Sequence, residues 1–266
     1  MSTINAIDPS LIAHIATPQQ SATEHAPAAT AKKGDGLQFP DILIYRGYSA
    51  PVRMETDVYD LEVEGTIPPE LNGVYFRNSA DPQYPPLLGK DLFLNGDGMI
   101  HSVRFENGHV DLKTRYVKTE KLALERKARR ALFGAYRNSF TDDPLVAGKE
   151  SGTANTAVLW HHGKLYAIKE SQRPMQLDPH TLETLGLWDF NGQLKSKTFT
   201  AHPKLDPETG EAIAFGYNTA GVASNEVEIF TISPEGNIVR SEVFAAPYPS
   251  MIHDFHVSRN YIAFTI

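Results

Sequence analysis

Two histidines, His202 in "TAHPK" and His253 in "SMIHDFH", stand 51 residues apart, each beside a short strand-like run. Neutral imidazoles that converge on one point can hold a divalent transition metal. The chain has no cysteine, which excludes thiolate zinc sites, iron–sulfur clusters, disulfides and cysteine nucleophiles. Any metal must therefore use histidine and carboxylate. Along "SMIHDFHV", period-2 alternation groups His253 with Met251, Phe255 and Val257, and puts His256 with Ile252 and Asp254 on the other face. One regular strand cannot offer both histidines to a single ion, so the pairing to expect is His202 with His253. On the residues alone, two hydrogen-bonded histidines of a β core remain the simpler alternative.

Other residues invite chemistry less strongly. His161 and His162 fall in "WHHGK", a hairpin turn, where paired histidines are expected to be exposed and unliganded. "NGDG" lacks the Gly-Lys-Ser/Thr that completes a phosphate loop and reads as a tight hairpin turn. His101 shares its face with Met99, Val103 and Phe105, which predicts a core or cavity-lining position.

The elements that must position these residues are mostly strands. "PPELNG", "FENGH", "WHHGK", "SPEGN" and "SRN" are turn signals set between short runs rich in Val, Ile, Tyr and Phe, an all-β rhythm. "LYAI" from Leu165, "IAFG" from Ile213 and "YIAF" from Tyr261 recur at steps of 48 residues. A period near 50 with four strands per unit predicts propeller blades. The strand before each repeated run is then innermost, facing a central channel, and Pro203 fits there because proline cannot donate to a ladder. One segment departs from the rhythm. "TEKLALERKARRALFGAY" spaces Leu122, Leu124, Ala128 and Leu132 for a helix of three or four turns within about 119–140, stopped by Gly134, with its charges on a solvated face. Residues 1–38, rich in Ala, Ser, Thr and Pro, read as a flexible leader before a domain spanning 39–266. With 266 residues and 41% hydrophobic content the chain can bury a sizeable core. A formal net charge of −7 argues against nucleic acid or an anionic membrane as main partner. No secretory leader or membrane span is evident, so the default compartment is the cytoplasm.

Taken in order, "GYSAPVRMETDVYDLEVEGTIPPELNGVYFRNSADPQYPP", "NGDGMIHSVRF", "ALFGAYRNSFTDDP", "YAIKES", "AHPK" and "MIHDF" resemble the carotenoid cleavage oxygenase family, in its lignostilbene dioxygenase-like branch. The resemblance runs from about residue 40 to the end. It implies a seven-bladed β-propeller with a helical cap, and iron(II) held on the axis by four histidines. His202 and His253 match the first two ligands. The others would lie beyond Ile266, so the chain is expected to be a partial propeller, truncated before closure and inactive alone. Glu170 in "YAIKES" matches a glutamate that orients a ligand, expected to be His253. Lys169 and Tyr136 match the lysine and tyrosine that hold a substrate phenol in stilbene-cleaving members.

These matches imply cleavage of a 4-hydroxystilbene by O2 to two aldehydes, with no reductant. Two alternatives stand: an apocarotenoid or carotenoid cleaver, which would not need Lys169 or Tyr136, and a non-catalytic propeller that binds a partner. Strict alternation would put Lys169 and Glu170 on opposite faces, so both roles require the strand to end or bulge there. "RNSADP" and "LFLNGDG" depart from the family's usual turns, so a different local loop geometry is expected there.

Overall fold

The computed structural model describes residues 38–266. The leader expected over 1–38 lies outside the described residues except for Gln38, which is exposed. The strands are β1 (Thr56–Val58), β2 (Gly73–Ala80), β3 (Gly98–Glu106), β4 (His109–Tyr116), β5 (Ala157–His161), β6 (Lys164–Ile168), β7 (Met175–Leu177), β8 (Thr184–Leu187), β9 (Lys204–Leu205), β10 (Ala212–Tyr217), β11 (Glu226–Ile232), β12 (Ile238–Ala245), β13 (Phe255–Val257) and β14 (Ile262–Phe264), with α1 at Glu120–Ala128. They pair antiparallel as β1-β4-β3-β2, β5-β6-β7-β8, β9-β10-β11-β12 and β13-β14. The fold is thus mostly β, and the runs spaced by 48 residues are β6, β10 and β14, each second in its sheet.

The packing of those second strands explains their sequence. Leu165 and Ala167 of β6 enter one apolar cluster with Ile100 and Met175, while Tyr166 and Ile168 enter another with Phe190, Phe199 and Phe230. On β10, Ala212 and Ala214 join the second cluster, and Phe215 and Tyr217 join a third with Ile252 and Phe255. A strand buried on both faces reads as a continuous apolar run rather than an alternating one. The alanines let neighbouring sheets approach, and the aromatic side chains opposite them fill the layer. Phe199 stacks on Phe230 with ring centroids 6.3 Å apart. Each such ring contributes roughly 1.5–3 kcal/mol by burial.

Tight turns fix register. β3 and β4 meet through Asn107 (φ +52°) and Gly108 (φ +83°), and β5 and β6 through His162 (φ +41°) and Gly163 (φ +73°). Two consecutive left-handed residues match the twist of an antiparallel hairpin.

Three expectations need correction. The helix is shorter than the spacing predicts: Thr119 caps it, its Oγ1 accepting from Leu122 N at 3.2 Å, and Arg129 ends it at φ +56°. Leu132 and Phe133 are buried but not helical, because Glu125 Oε1 accepts from both of their backbone N–H groups at 2.9 and 3.2 Å. The helix charges are not all solvated either. Lys121 and Glu125 are buried, and Lys121 Nζ donates to Asp97 Oδ1 and Glu125 Oε2, both at 2.8 Å. Finally, "NGDG" is no tight turn: it ends the long connection between the paired strands β2 and β3. Phe93–Asn95 form a 3-10 turn, and buried Asp97 leads into β3 while accepting from Gln83 N at 2.9 Å.

Candidate functional site

His202 and His253 lie just before β9 and β13 rather than within them, so strand alternation does not govern where they face. Each is anchored through its neighbours. Thr200 N donates to Phe215 O at 2.6 Å, and Thr200 Oγ1 accepts from His202 N at 3.0 Å. Pro203 offers no N–H, and pairing with β10 begins at Lys204. On the other segment Ile252 is buried in the third cluster, and Asp254 Oδ1 accepts from Phe255 N at 2.7 Å. Lys204 Nζ then bridges the segments by donating to Asp254 Oδ1 at 2.7 Å.

The outcome is that the two Nε2 atoms face each other at 3.0 Å, with ring planes at 72°. Burial, and then His253, hold the His202 imidazole below its ordinary pKa, which favours the neutral, metal-binding form. The separation can be tested against an ion. With metal–nitrogen bonds of about 2.1 Å, two nitrogens 3.0 Å apart subtend about 90°, whereas a tetrahedral angle would hold them about 3.4 Å apart. The two nitrogens are thus close enough for one divalent ion to reach both. Without an ion, one nitrogen donates to the other. Among the described residues no group of three or more His, Cys, Asp or Glu gathers to complete a coordination sphere. His256 sits on β13 and is exposed.

A second group of residues lies at the end of β6. The strand stops at Ile168, so Lys169 and Glu170 occupy the turn beyond it and alternation does not force them apart. Both are buried. Lys169 Nζ donates to Leu94 O at 2.8 Å and to Asn155 Oδ1 at 3.0 Å, and stands 5.1 Å from the centre of the Tyr136 ring. Burial pushes its pKa down to about 8, opposed by the Glu170 charge and reinforced by Lys121 and Arg137. Tyr136 OH makes a long contact of 3.5 Å with Glu170 Oε1, and burial followed by Glu170 pushes the phenol pKa up. Glu170 Oε2 is buried with no hydrogen-bond partner among the described residues.

The expected pairing of Glu170 with His253 is not made. Its carboxylate reaches Tyr136 instead, and its charge acts on His202. Three residues that sequence reasoning passed over also belong here. Arg137, at φ +58°, donates from Nη1 to Tyr217 OH at 3.0 Å, and Asn155 holds Lys169. Tyr217 ends the "IAFGY" run, and its placement there was the only signal available for it.

The remaining histidines resolve as follows. His101 is half-buried, with Nε2 2.9 Å from Ser79 Oγ. His161 ends β5 and His162 occupies the turn, and neither is exposed. His161 is buried and reaches Gly210 O at 3.0 Å, and His162 sits between His161 Nδ1 at 3.1 Å and Tyr166 OH at 2.8 Å.

Known proteins share this arrangement of sheets. A family model described as retinal pigment epithelial membrane protein matches residues 49–266. The chain is 46% identical over 228 residues to lignostilbene-alpha,beta-dioxygenase isozyme III of Sphingomonas paucimobilis, across 86% of this chain and 46% of that protein. It is 44% identical over 220 residues to isoeugenol monooxygenase of Pseudomonas nitroreducens, across 83% of this chain and 46% of that protein. The crystal structure of Pseudomonas brassicacearum lignostilbene dioxygenase matches it with a TM-score of 0.83 at 47% identity, over 86% of this chain and 48% of that one. The chain spans about half the length of the curated relatives it matches. Among the described residues no helix is long and apolar enough to cross a membrane.

Proposed function

The chain belongs to the retinal pigment epithelial membrane protein family, and from that premise we propose that it forms part of a cytoplasmic, non-haem iron(II) dioxygenase that cleaves the central double bond of a 4-hydroxystilbene with O2. In this reading the four-stranded sheets are successive blades of a seven-bladed propeller within a domain spanning 39–266, and the segment around 119–140 belongs to its helical cap. His202 and His253 supply two of the iron ligands; their facing Nε2 atoms support that role. When bound, iron(II) supplies the activation of dioxygen for addition across a carbon–carbon double bond, leaving two carbonyl products.

The chain's own residues handle the phenol. The single observation that carries the substrate assignment is the buried Lys169 amine beside Tyr136, 5.1 Å from its ring. A neutral amine has two N–H groups, and the two acceptors, Leu94 O and Asn155 Oδ1, satisfy both. Its lone pair is left to take a proton from a phenol, and the resulting ammonium pairs with the phenolate. A pKa near 8 makes that exchange accessible at neutral pH. Electron release from the phenolate into the conjugated double bond then activates it. Tyr136 OH orients the same oxygen by hydrogen bonding. Glu170, with an unpartnered buried oxygen, places negative charge near His202 and offsets the charge of a bound cation.

The experiment compares 4-hydroxystilbene with its 4-methoxy analogue in the protein as its gene encodes it. Lys169→Met should depress turnover of the hydroxystilbene by roughly a hundredfold while leaving iron content unchanged. Tyr136→Phe should act in the same direction, less strongly. Equal wild-type rates on the two substrates, or cleavage of a carotenoid with none of the stilbene, would overturn the substrate assignment.

A further inference from the structure

We infer that Asn155 is the positioning residue for Lys169, tying its side-chain nitrogen to the loop Leu94–Gly96 so that one face of that nitrogen is left for substrate. The inference rests on the phenol-binding reading for its consequence, though the geometry stands without any substrate. Asn155 is buried just before β5, and every polar valence of its carboxamide is used. Nδ2 donates to Leu94 O at 2.9 Å and to Gly96 O at 2.6 Å, while Oδ1 accepts from Lys169 Nζ at 3.0 Å and from Thr156 Oγ1 at 3.2 Å. Leu94 O accepts from both Asn155 Nδ2 and Lys169 Nζ, which closes a ring of three groups.

That ring has directional consequences. A lysine on a four-carbon stem ordinarily keeps its nitrogen mobile. Here two of its hydrogen-bonding directions are taken by Leu94 O and Asn155 Oδ1, and the Tyr136 ring centre stands 5.1 Å from the nitrogen. The loop cannot slide away from the amine, because the same carboxamide holds Leu94 and Gly96. The charged and titratable groups acting on Lys169 from the surrounding segments are Glu170, Lys121, Arg137 and Tyr136. Asn155 is neutral, so its contribution is orientation and a fixed dipole that differs in its attraction for the ammonium and amine forms. A catalytic amine set by a fixed dipole has a defined protonation midpoint as well as a defined aim.

The test reads Lys169 directly, through the pH titration of its ε-carbon resonance in chain carrying 13C-labelled lysine, with Lys169→Met assigning the signal. Asn155→Leu keeps the shape but removes the acceptor, and should lower the midpoint by about half a pH unit or more. Asn155→Asp sets a negative charge beside the nitrogen and should raise it by about one pH unit or more. A purely structural role for Asn155 would lower the melting temperature of both variants without moving the midpoint in opposite directions, and that result would overturn the inference.

Should neither variant fold, Asn155→Ala, a smaller change that also removes the Oδ1 acceptor, decides: the Lys169 midpoint should fall by about half a pH unit or more, and an unmoved midpoint would overturn the proposal. These readouts use no substrate, so failure of the stilbene assignment and failure of this coupling are separable.

Discussion

Replacing Lys121 with methionine tests whether the loop that carries Leu94 and Gly96 is held by charge. Lys121 Nζ lies 2.8 Å from both Asp97 Oδ1 and Glu125 Oε2, and all three side chains are almost wholly buried. Burial alone would depress the lysine's pKa, but the two carboxylates together outweigh it and raise the pKa, so Lys121 is held as an ammonium between them. At an effective dielectric near 20, two contacts at this distance are worth roughly 12 kcal/mol before desolvation. Desolvating three ions costs several kcal/mol each, so the intact triad adds little net stability. Lys121→Met keeps the desolvation and removes the attraction, leaving two buried carboxylates facing one another. The expected loss is about 3–5 kcal/mol, a large part of a typical folding free energy.

Urea unfolding followed by the fluorescence of Trp160 and Trp188 measures it. Adding Glu125→Gln removes one of the stranded charges while keeping an acceptor for Leu132 N and Phe133 N, so the double variant should recover at least about 1 kcal/mol. A single variant that loses less than about 1 kcal/mol, or a double variant no more stable than the single, would refute the account.

Three further outcomes are expected. His162 has its pKa held down to about 4, first by burial and then by His161 and Lys164; the unfolded ring titrates near 6.5, so stability should be lost as pH falls from about 6.5 toward 4. Between pH 7 and 5 wild type should lose about 1 kcal/mol more than His162→Asn in paired urea titrations, roughly half the unscreened value because the ring is partly solvated, and parallel losses would count against it. Gly98→Ala should cost about 1–3 kcal/mol, because a methyl there would collide with the backbone oxygens of Ala154 and Thr153; a melting temperature equal to wild type refutes this. His253→Ala should strip iron from the folded protein its gene encodes, measured by metal analysis, and full iron content would remove His253 from the ligand set.

What was legible in the sequence was whatever burial writes into local pattern. β6 and β10 announced themselves as apolar runs because both of their faces are covered, and their spacing of 48 residues survives as successive sheets. The meeting of His202 and His253 was legible for the same reason, since equal places in successive sheets are neighbours in space. The helix misled because Leu132 continues the 3.6-residue period of Leu122, Leu124 and Ala128, while the event that ends the helix is a side-chain carboxylate capturing two amides further along the chain. Lys121 looked solvated because its partner Asp97 is 24 residues away in a loop, and no local pattern records that. Asn155 was invisible on similar grounds, its four partners being spread over Leu94, Gly96, Thr156 and Lys169.

Where the proposed site residues sit follows from what a strand can and cannot do. Within a regular strand neighbouring side chains point to opposite faces, and here both faces of β6 and β10 are committed to the core. Polar chemistry placed there would need a buried partner for every donor and acceptor. The proposed site residues avoid this by standing just outside the ladders: Lys169 and Glu170 after β6, Asn155 before β5, His202 before β9 and His253 before β13. Because β5 and β6 are antiparallel, the end of one and the start of the other lie at the same edge of the sheet, which is how Asn155 reaches Lys169. The starts of β9 and β13 are tied by Lys204 and Asp254, and the charge of Glu170 reaches His202 between the two groups. The ladders thus supply stiffness up to the last paired residue, and the first unpaired residues beyond them are free to converge.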